Sequence, residues 1–301
     1  MTPRIISLIA SATEIVDALG ELNHLVGRSH ECDYPEHVKQ LPACTRPRIA
    51  VDGNSQEIDR LVKESARTSL SIYEIFDDVI ERLEPTHILT QIQCEVCAVS
   101  LRDVEAAIAR GLKGSPTVVS LQPDSLEQIW GDIRRVSAAL EIGERGESLI
   151  ASLKARMPQR KMEADAPKIA CIEWIEPMMA AGNWTPELIE RAGGVNLFGE
   201  AGQHSPWMTW DQLVAADPDI VIVAPCGFDL TRTAEEMYWL TDRAGWRDLR
   251  AVRTRRVYLA DGNQYFNRPG PRVVETYEML VEMLHPDSPA RHRGNGWHTL
   301  S

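Results

Sequence analysis

Apolar positions along the chain switch between a strand period and a helical period, and they do so twice. Arg4-Ile-Ile-Ser-Leu-Ile9 is a short apolar run of strand character. Ser11-Ala-Thr-Glu14 follows and reads as a capping box, in which Ser and Glu satisfy free N–H groups at a helix start. Ile15, Val16 and Leu19 then form one helical face, Gly20 stops it, and Leu25 to Ser29 is a second strand. In the second half, Lys168 to Ile172 is a strand, Thr185-Pro-Glu-Leu-Ile opens a helix with proline in its first turn, and Gly193-Gly194 ends it. A further pair runs in parallel: Val79-Ile-Glu-Arg-Leu-Glu-Pro-Thr-His-Ile-Leu-Thr90 and Leu213-Val-Ala-Ala-Asp-Pro-Asp-Ile-Val-Ile-Val-Ala224. In each, a short helix ends at an acid-Pro step, because proline disfavours helix in the residue before it, and a buried strand follows. Thr117 to Leu121 and Arg256 to Ala260 supply third strands.

Strand and helix alternating in this way predict an α/β protein of two Rossmann-like lobes with mostly parallel sheets. The lobes are expected at residues 1–123 and 166–285. Between them, from Ser125 to about Met157, no proline interrupts a helical pattern of Leu126, Ile129, Ile133, Val136, Leu140, Leu149, Ile150 and Leu153. Residues 124–158 therefore read as a single long connecting helix, roughly 45 Å at about 1.5 Å per residue. Gln56 to Phe76 reads as an extra helical stretch of the first lobe. Residues 286–301, polar with Pro, Gly and Arg, read as a loosely held tail, and His285, His292 and His298 as surface histidines.

The 301 residues, 44% apolar and 25% charged, hold enough material for two cores. A net charge of -12 without a basic run excludes a nucleic-acid partner and loose adsorption to anionic lipid. No apolar stretch approaches the roughly 20 residues of a membrane span. Met1 to Ala10 lacks the basic start, longer apolar block and cleavage site of a secretory signal. The expectation is a cytoplasmic protein, or a periplasmic one if the sequence is a processed form. Cys32, Cys44, Cys94, Cys97, Cys171 and Cys226 are too scattered for a disulfide scaffold.

Several segments, taken in order, resemble a known family. They are Arg4-Ile-Ile-Ser-Leu…Ser11-Ala-Thr-Glu14, Val26-Gly-Arg-Ser…Asp33-Tyr34-Pro35, Leu83-Glu-Pro85, Gly193-Gly-Val-Asn196, Trp210-Asp-Gln-Leu, Asp217-Pro-Asp-Ile-Val-Ile and Pro271-Arg272. From about Arg4 to Leu284 the chain resembles the helical-backbone (class III) substrate-binding proteins of ABC importers, the cobalamin-binding branch above all. His30-Glu-Cys-Asp-Tyr-Pro35 and Gln91-Ile-Gln-Cys-Glu-Val-Cys-Ala-Val-Ser100 are similar to a subgroup of cobalamin-binding members without an export signal. The resemblance implies a clamshell of two lobes with a corrinoid in the cleft between them, no catalysis and no required cofactor. It also implies an ABC permease as partner if the protein is exported, docked through one acid per lobe. Glu105 and either Glu235 or Glu236 are the acids in position for that.

Ligands of open parallel sheets lie beyond the strands' carboxyl ends. The loops that follow the strands are rich in flat side chains suited to a macrocycle. Expected ligand contacts are Ser29, His30, Cys32, Tyr34, Gln93, Cys94, Trp174, Asn183, Trp184, Trp207, Phe228, Tyr265 and Phe266. Trp210, Asn263 and Gln264 stand near them in the sequence. The same loops hold Glu31, Asp33, Glu95, Glu173, Glu176, Asp229 and Asp261 against Arg268 alone. That balance favours a near-neutral corrinoid over anionic haem or a ferric siderophore.

His30, Cys32, Cys94 and Cys97 support a different reading, a four-ligand zinc or iron site of a metal-binding or metal-sensing protein. They read equally as small buried fillers and a hydrogen-bonded loop histidine. A histidine can also ligate the cobalt of a corrinoid directly. A third reading is an enzyme acting on a corrinoid or tetrapyrrole, although no nucleophile elbow, phosphate loop or His-Glu-x-x-His motif is present.

Overall fold

The structure is a computed structural model that describes residues 2–67, 72–92, 104 and 115–300. It divides into two compact units. The first comprises Met1–Gly53, Arg60–Pro123 and Glu127–Leu153; the second comprises Asn54–Asp59, Asp124–Leu126 and Lys154–Ser301.

The strands of the first unit are β1 (Ile5–Ser7), β2 (Leu25–Arg28), β3 (Thr45–Pro47), β4 (Tyr73–Ile75), β5 (His87–Gln91) and β6 (Thr117–Leu121). β2, β1, β5 and β6 form a parallel sheet in that order, while β3 and β4 pair antiparallel by themselves. Ile5, Ile6, Ile88 and Leu89 are fully buried, as expected where both faces of a parallel sheet are covered.

The helix α1 (Ala10–Ala18) leaves β1 almost without a loop. Its N-cap is the extended Ile9, and no side chain caps it. Ser11 and Glu14 lie inside the helix, both buried, so the expected capping box does not form. A reciprocal cap needs the hydroxyl at the extended position before the helix, and Ile9 holds that position.

The predicted helical stretch Gln56 to Phe76 divides into α2 (Ser55–Arg67) and strand β4. Ser55 and its neighbours group with the second unit, where the Ser55 N–H and hydroxyl both donate to the buried Glu236 carboxylate. The helix α3 (Asp77–Leu83) ends on Glu84, left-handed at φ 43°, before Pro85.

The stretch read as one connecting helix is two helices, α4 (Leu126–Ala139) and α5 (Gly143–Arg156). Glu141 breaks it in the left-handed conformation at φ 60°, and the Ile142 N–H turns back to the Ser137 carbonyl. Arg134 then bonds Glu127 on its own helix and Glu147 on the next. A Cβ at Gly146 would stand 2.7 Å from Ser137 Cβ, so glycine is what lets the two helices approach here. An unbroken apolar pattern cannot register such a reversal, because both helices keep the same face covered.

The second unit contains β7 (Lys168–Trp174), β8 (Met179–Ala180), β9 (Val195–Asn196), β10 (Ile220–Val223), β11 (Val257–Ala260) and β12 (Trp297–Thr299). The order is β12-β11-β10-β7-β8, with β9 also on β7. β7, β10 and β11 are parallel, as predicted, and all four residues of β10 are fully buried. Its helices include α6 (Thr185–Arg191), α7 (Trp210–Ala216), α8 (Leu230–Glu235) and α9 (Val273–Leu284). α7 ends on Asp217 at φ 40° before Pro218, the same stop that ends α3. It also carries the true capping box, Thr209 with Gln212, which the sequence pattern Thr-x-x-Gln encodes.

The expected loose tail is part of the sheet instead. β12 pairs antiparallel with β11, and Trp297 packs edge-on to Tyr258. The buried Glu282 carboxylate accepts the N–H groups of Arg291 and His292 and the Trp297 indole N–H. Composition suggested a tail because the anchor, Glu282, lies on α9 rather than in the segment.

Two outcomes follow. Gly146→Ala forces α4 and α5 apart and lowers stability by about 1–3 kcal/mol, read as a drop in thermal midpoint. Glu282→Gln leaves fewer acceptor sites for the buried Trp297 indole N–H and the Arg291 and His292 N–H groups, and costs roughly 1–3 kcal/mol. Hydrogen exchange should show amides 291–299 losing protection ahead of β10 and β11.

Candidate ligand-binding site

At the carboxyl end of the first sheet, β2 hands over to the loop of Ser29, His30, Glu31 and Cys32. Arg28 Nη1 donates to the Ser29 carbonyl at 2.8 Å, and the buried Ser29 hydroxyl accepts the Glu31 N–H at 3.1 Å. His30 is held by one oxygen: Thr45 Oγ1 takes its backbone N–H at 3.1 Å and lies 2.8 Å from Nδ1. The Tyr73 ring is tilted against the imidazole at 5.4 Å, and Tyr73 OH donates to Glu31 Oε1 at 3.3 Å. Burial, helped by the Arg28 charge, pushes the His30 pKa down to about 4.

Cys32 is committed elsewhere. Its sulfur accepts the Thr13 hydroxyl at 3.0 Å and lies 3.4 Å from Ser29 Oγ, and burial pushes the thiol pKa up. That is the buried-filler state, a protonated sulfur rather than a ready thiolate ligand. Cys44 is likewise buried and pushed up to about 12. Tyr34 is exposed. Gln93, Cys94, Glu95, Cys97 and Glu105 lie outside the described residues. Among the described residues, no group of three or more His, Cys, Asp or Glu could hold a metal ion.

In the second unit, the loops after β10 and β11 are joined through backbone. The Phe228 carbonyl accepts the N–H groups of Gly262 and Asn263 at 3.0 and 3.1 Å. Gly262 has to be glycine, since a Cβ would meet the Pro225 carbonyl oxygen at 2.0 Å. Trp174, at the end of β7, meets Phe228 edge-on at 5.4 Å. The Arg232 guanidinium lies 3.9 Å over the other ring partner, Phe228, and Arg272 lies 5.0 Å from the Tyr265 ring centre. Arg272 also donates to Gln264 Oε1, and Arg268 to Asn263 Oδ1.

A second tie runs from Glu173 on β7. Its carboxylate accepts the Ser205 hydroxyl at 2.9 Å, and Ser205 Oγ in turn accepts the Gly182 N–H at 3.0 Å. This holds the loop of Asn183 (φ 53°) and Trp184 against the loop that carries Trp207. Trp207 is exposed and bridges Met179, whereas Trp184 is buried. Phe228 and Phe266 are buried at 1%, so both support the loops from within. Trp174, Phe228 and the Tyr265 turn are therefore brought together, and Trp184 and Trp207 lie on a separate pair of tied loops.

The acid count of these loops does not translate into a negative site. Glu176 pairs with Arg243 at 2.5 Å. Asp229 caps α8, and Asp261 caps the turn of Gly262–Phe266 through the Gln264 N–H at 2.7 Å. Burial raises the pKa of both Glu173 and Asp261, which favours their neutral forms. Arg232 and Arg272 join Arg268 at the ends of β10 and β11, where the sequence reading counted Arg268 alone. Asp229 at a helix start and Arg232 four residues after Phe228 were the available signals.

The sequence profile of the periplasmic binding protein family matches residues 5–263. The chain belongs to this family. Among its relatives in the periplasmic binding protein family, a vitamin B12-binding protein of Vibrio cholerae is 24% identical, the match covering 93% of this chain and 88% of that protein. An uncharacterized ABC transporter substrate-binding lipoprotein of Bacillus subtilis is 22% identical over 95% of this chain and 81% of its own length. A periplasmic heme-binding protein of Roseiflexus in apo form superimposes with a TM-score of 0.69 at 23% identity, over 95% of this chain and 99% of that one. The periplasmic vitamin B12 binding protein of Vibrio cholerae gives 0.61 at 20% identity, over 94% and 96%. These likenesses establish the α/β periplasmic-binding-protein fold. They lend the expected cytoplasmic location no support. No described helix is long and apolar enough to cross a membrane.

The pKa of His30 predicts a pH dependence. The folded state holds the imidazole neutral down to about pH 4, whereas the unfolded chain protonates near pH 6.5, the ordinary value for histidine. Stability from this group is thus full above pH 6.5 and is lost as pH falls toward 4, by roughly 2–3 kcal/mol. Denaturant unfolding across that window should show a shallower loss in His30→Gln.

Proposed function

We propose that this protein binds a corrinoid and performs no chemistry on it. The contacts come from side chains at the carboxyl end of the second unit's sheet. The observation that carries the reading is the pair of half-buried aromatics Trp174 and Tyr265, on loops backed by the buried Phe228 ring and tied through the Phe228 carbonyl. Loops fixed by backbone bonds present such side chains at low entropic cost, which suits a large rigid ring. The name of the Vibrio cholerae relative, similar along nearly the whole chain, points to the same ligand.

Haem is the second reading, and a specific observation favours it. Arg232 lies over the Phe228 ring, with the buried Arg268 and Arg272 bonded to Asn263 and Gln264 nearby, and guanidinium groups suit a macrocycle's acidic arms. A corrinoid that keeps its nucleotide arm brings one phosphodiester charge, which the same guanidiniums suit. For docking on an ABC permease, Glu235 is the acid we assign in the second unit. It is exposed, whereas Glu236 is buried on Ser55 and unavailable.

Titration with cyanocobalamin, hydroxocobalamin and haem separates these readings. The corrinoid reading expects quenching of tryptophan fluorescence at micromolar cobalamin and weaker binding by roughly tenfold or more in Trp174→Ala. A response to haem with none to either cobalamin reverses the order.

A further inference from the structure

We propose that the amino end of the second unit's sheet is a docking face for an anionic phospholipid surface, at the pole opposite the loops assigned to the ligand. It goes beyond the binding function and does not depend on which ligand those loops take.

Two stretches of chain build this face. Residues 243–256 hold six arginines against one acid, Asp248, and residues 154–168 hold five lysines and arginines against Glu163 and Asp165. The whole-chain charge of -12 hides both. Backbone bonds set them side by side where β7, β10 and β11 begin. Asp219 N–H donates to the Lys168 carbonyl at 2.9 Å, and Val221 N–H to the Arg256 carbonyl at 3.1 Å. The Asp219 carboxylate accepts the Lys168 N–H and Arg250 Nη1, each at 2.9 Å.

Some of these cations are engaged within the unit. Arg243 pairs with Glu176, Arg250 with Asp219, and Arg156 with Glu278, while Arg256 turns inward to the Leu284 carbonyl. Lys168, Arg247, Arg253 and Arg255 are exposed and make no ion pair among the described residues. Arg255 stands at φ 57°, in the left-handed region that favours glycine, so the chain carries a guanidinium where its backbone prefers no side chain.

The chemistry selects the partner. Guanidinium groups hold phosphate oxygens in pairs. A stable protein interface needs a central apolar or aromatic anchor. In these two stretches Met162 is the only exposed large apolar side chain among the described residues. Cations without such a core suit lipid headgroups, which demand no shape match. Net charge excludes adsorption in arbitrary orientations but allows contact at one pole, because charges beyond about 8 Å are screened at physiological salt. The ligand loops lie across the four residues of β10, roughly 13 Å away at about 3.3 Å per residue. Docking here leaves them clear of the lipid.

The test is sedimentation of the tag-free chain with vesicles of equal parts phosphatidylcholine and phosphatidylglycerol, against phosphatidylcholine alone. The chain should sediment with the anionic vesicles only and be released as salt rises. Arg253→Glu combined with Arg255→Glu should weaken binding by roughly tenfold or more. Arg60→Glu combined with Arg82→Glu makes the same change in net charge at exposed positions elsewhere and should leave binding as it was. Hydrogen exchange of the unaltered chain should show amides 247–256 gaining protection on the anionic vesicles.

No sedimentation at low salt, an equal effect of the two substitution pairs, or protection gained elsewhere but not at 247–256 overturns the proposal. Binding to polyglutamate at a salt concentration that abolishes vesicle binding also overturns it and gives this face to an acidic protein. The exchange arm needs no substitution and so decides the matter even if a variant fails to fold.

Discussion

A buried parallel strand must deliver its chain into loops whose N–H and C=O groups have lost the sheet, and each of those groups needs a partner. This requirement organises the carboxyl ends of both sheets. Thr45 Oγ1 satisfies the His30 N–H, Ser29 Oγ the Glu31 N–H, and the Phe228 carbonyl a pair of N–H groups from the β11 turn. Glu173 and Ser205 serve the Gly182 loop in the same way, and Asp229 and Asp261 serve their helical turns. Short polar side chains are therefore consumed by backbone, and what these loops still present includes Trp174, Trp207, Arg232 and Tyr265.

That division explains the electrostatics. An acid that caps a turn or pairs with a neighbour contributes little field beyond its own loop, and a buried acid whose pKa rises contributes less still. Glu173, Glu176, Asp229 and Asp261 thus say less about the ligand than the Arg232 guanidinium over Phe228. Support for the proposed corrinoid comes from Trp174, Tyr265 and the likeness along the chain, rather than from a negative site.

The same economy separates His30 from Cys32, two residues apart. Both lie in a loop that has to be anchored. His30 is anchored through Nδ1 and keeps its second nitrogen, whereas the Cys32 sulfur is itself the anchor point for Thr13 and Ser29. A shared spacing in the sequence therefore carries two unlike roles.

Local patterns determined the alternation of strand and helix, the duplicated helix–acid–Pro–strand segments and the glycine stops at Gly20 and Gly193, because each depends on backbone sterics within a few residues. They also brought Trp174, Phe228 and Tyr265 into view, since residues that follow strands must lie at one end of a parallel sheet. What only the tertiary structure decided involves partners distant along the chain. Ser137 meets Gly146 across a reversal hidden in a continuous apolar pattern. Glu282 draws a polar terminus into β12, and Ser55 finds Glu236. Thr45 reaches His30 from another strand. Periodicity records which face of an element is covered, not which side chain covers it, and a hydrogen bond needs the second fact.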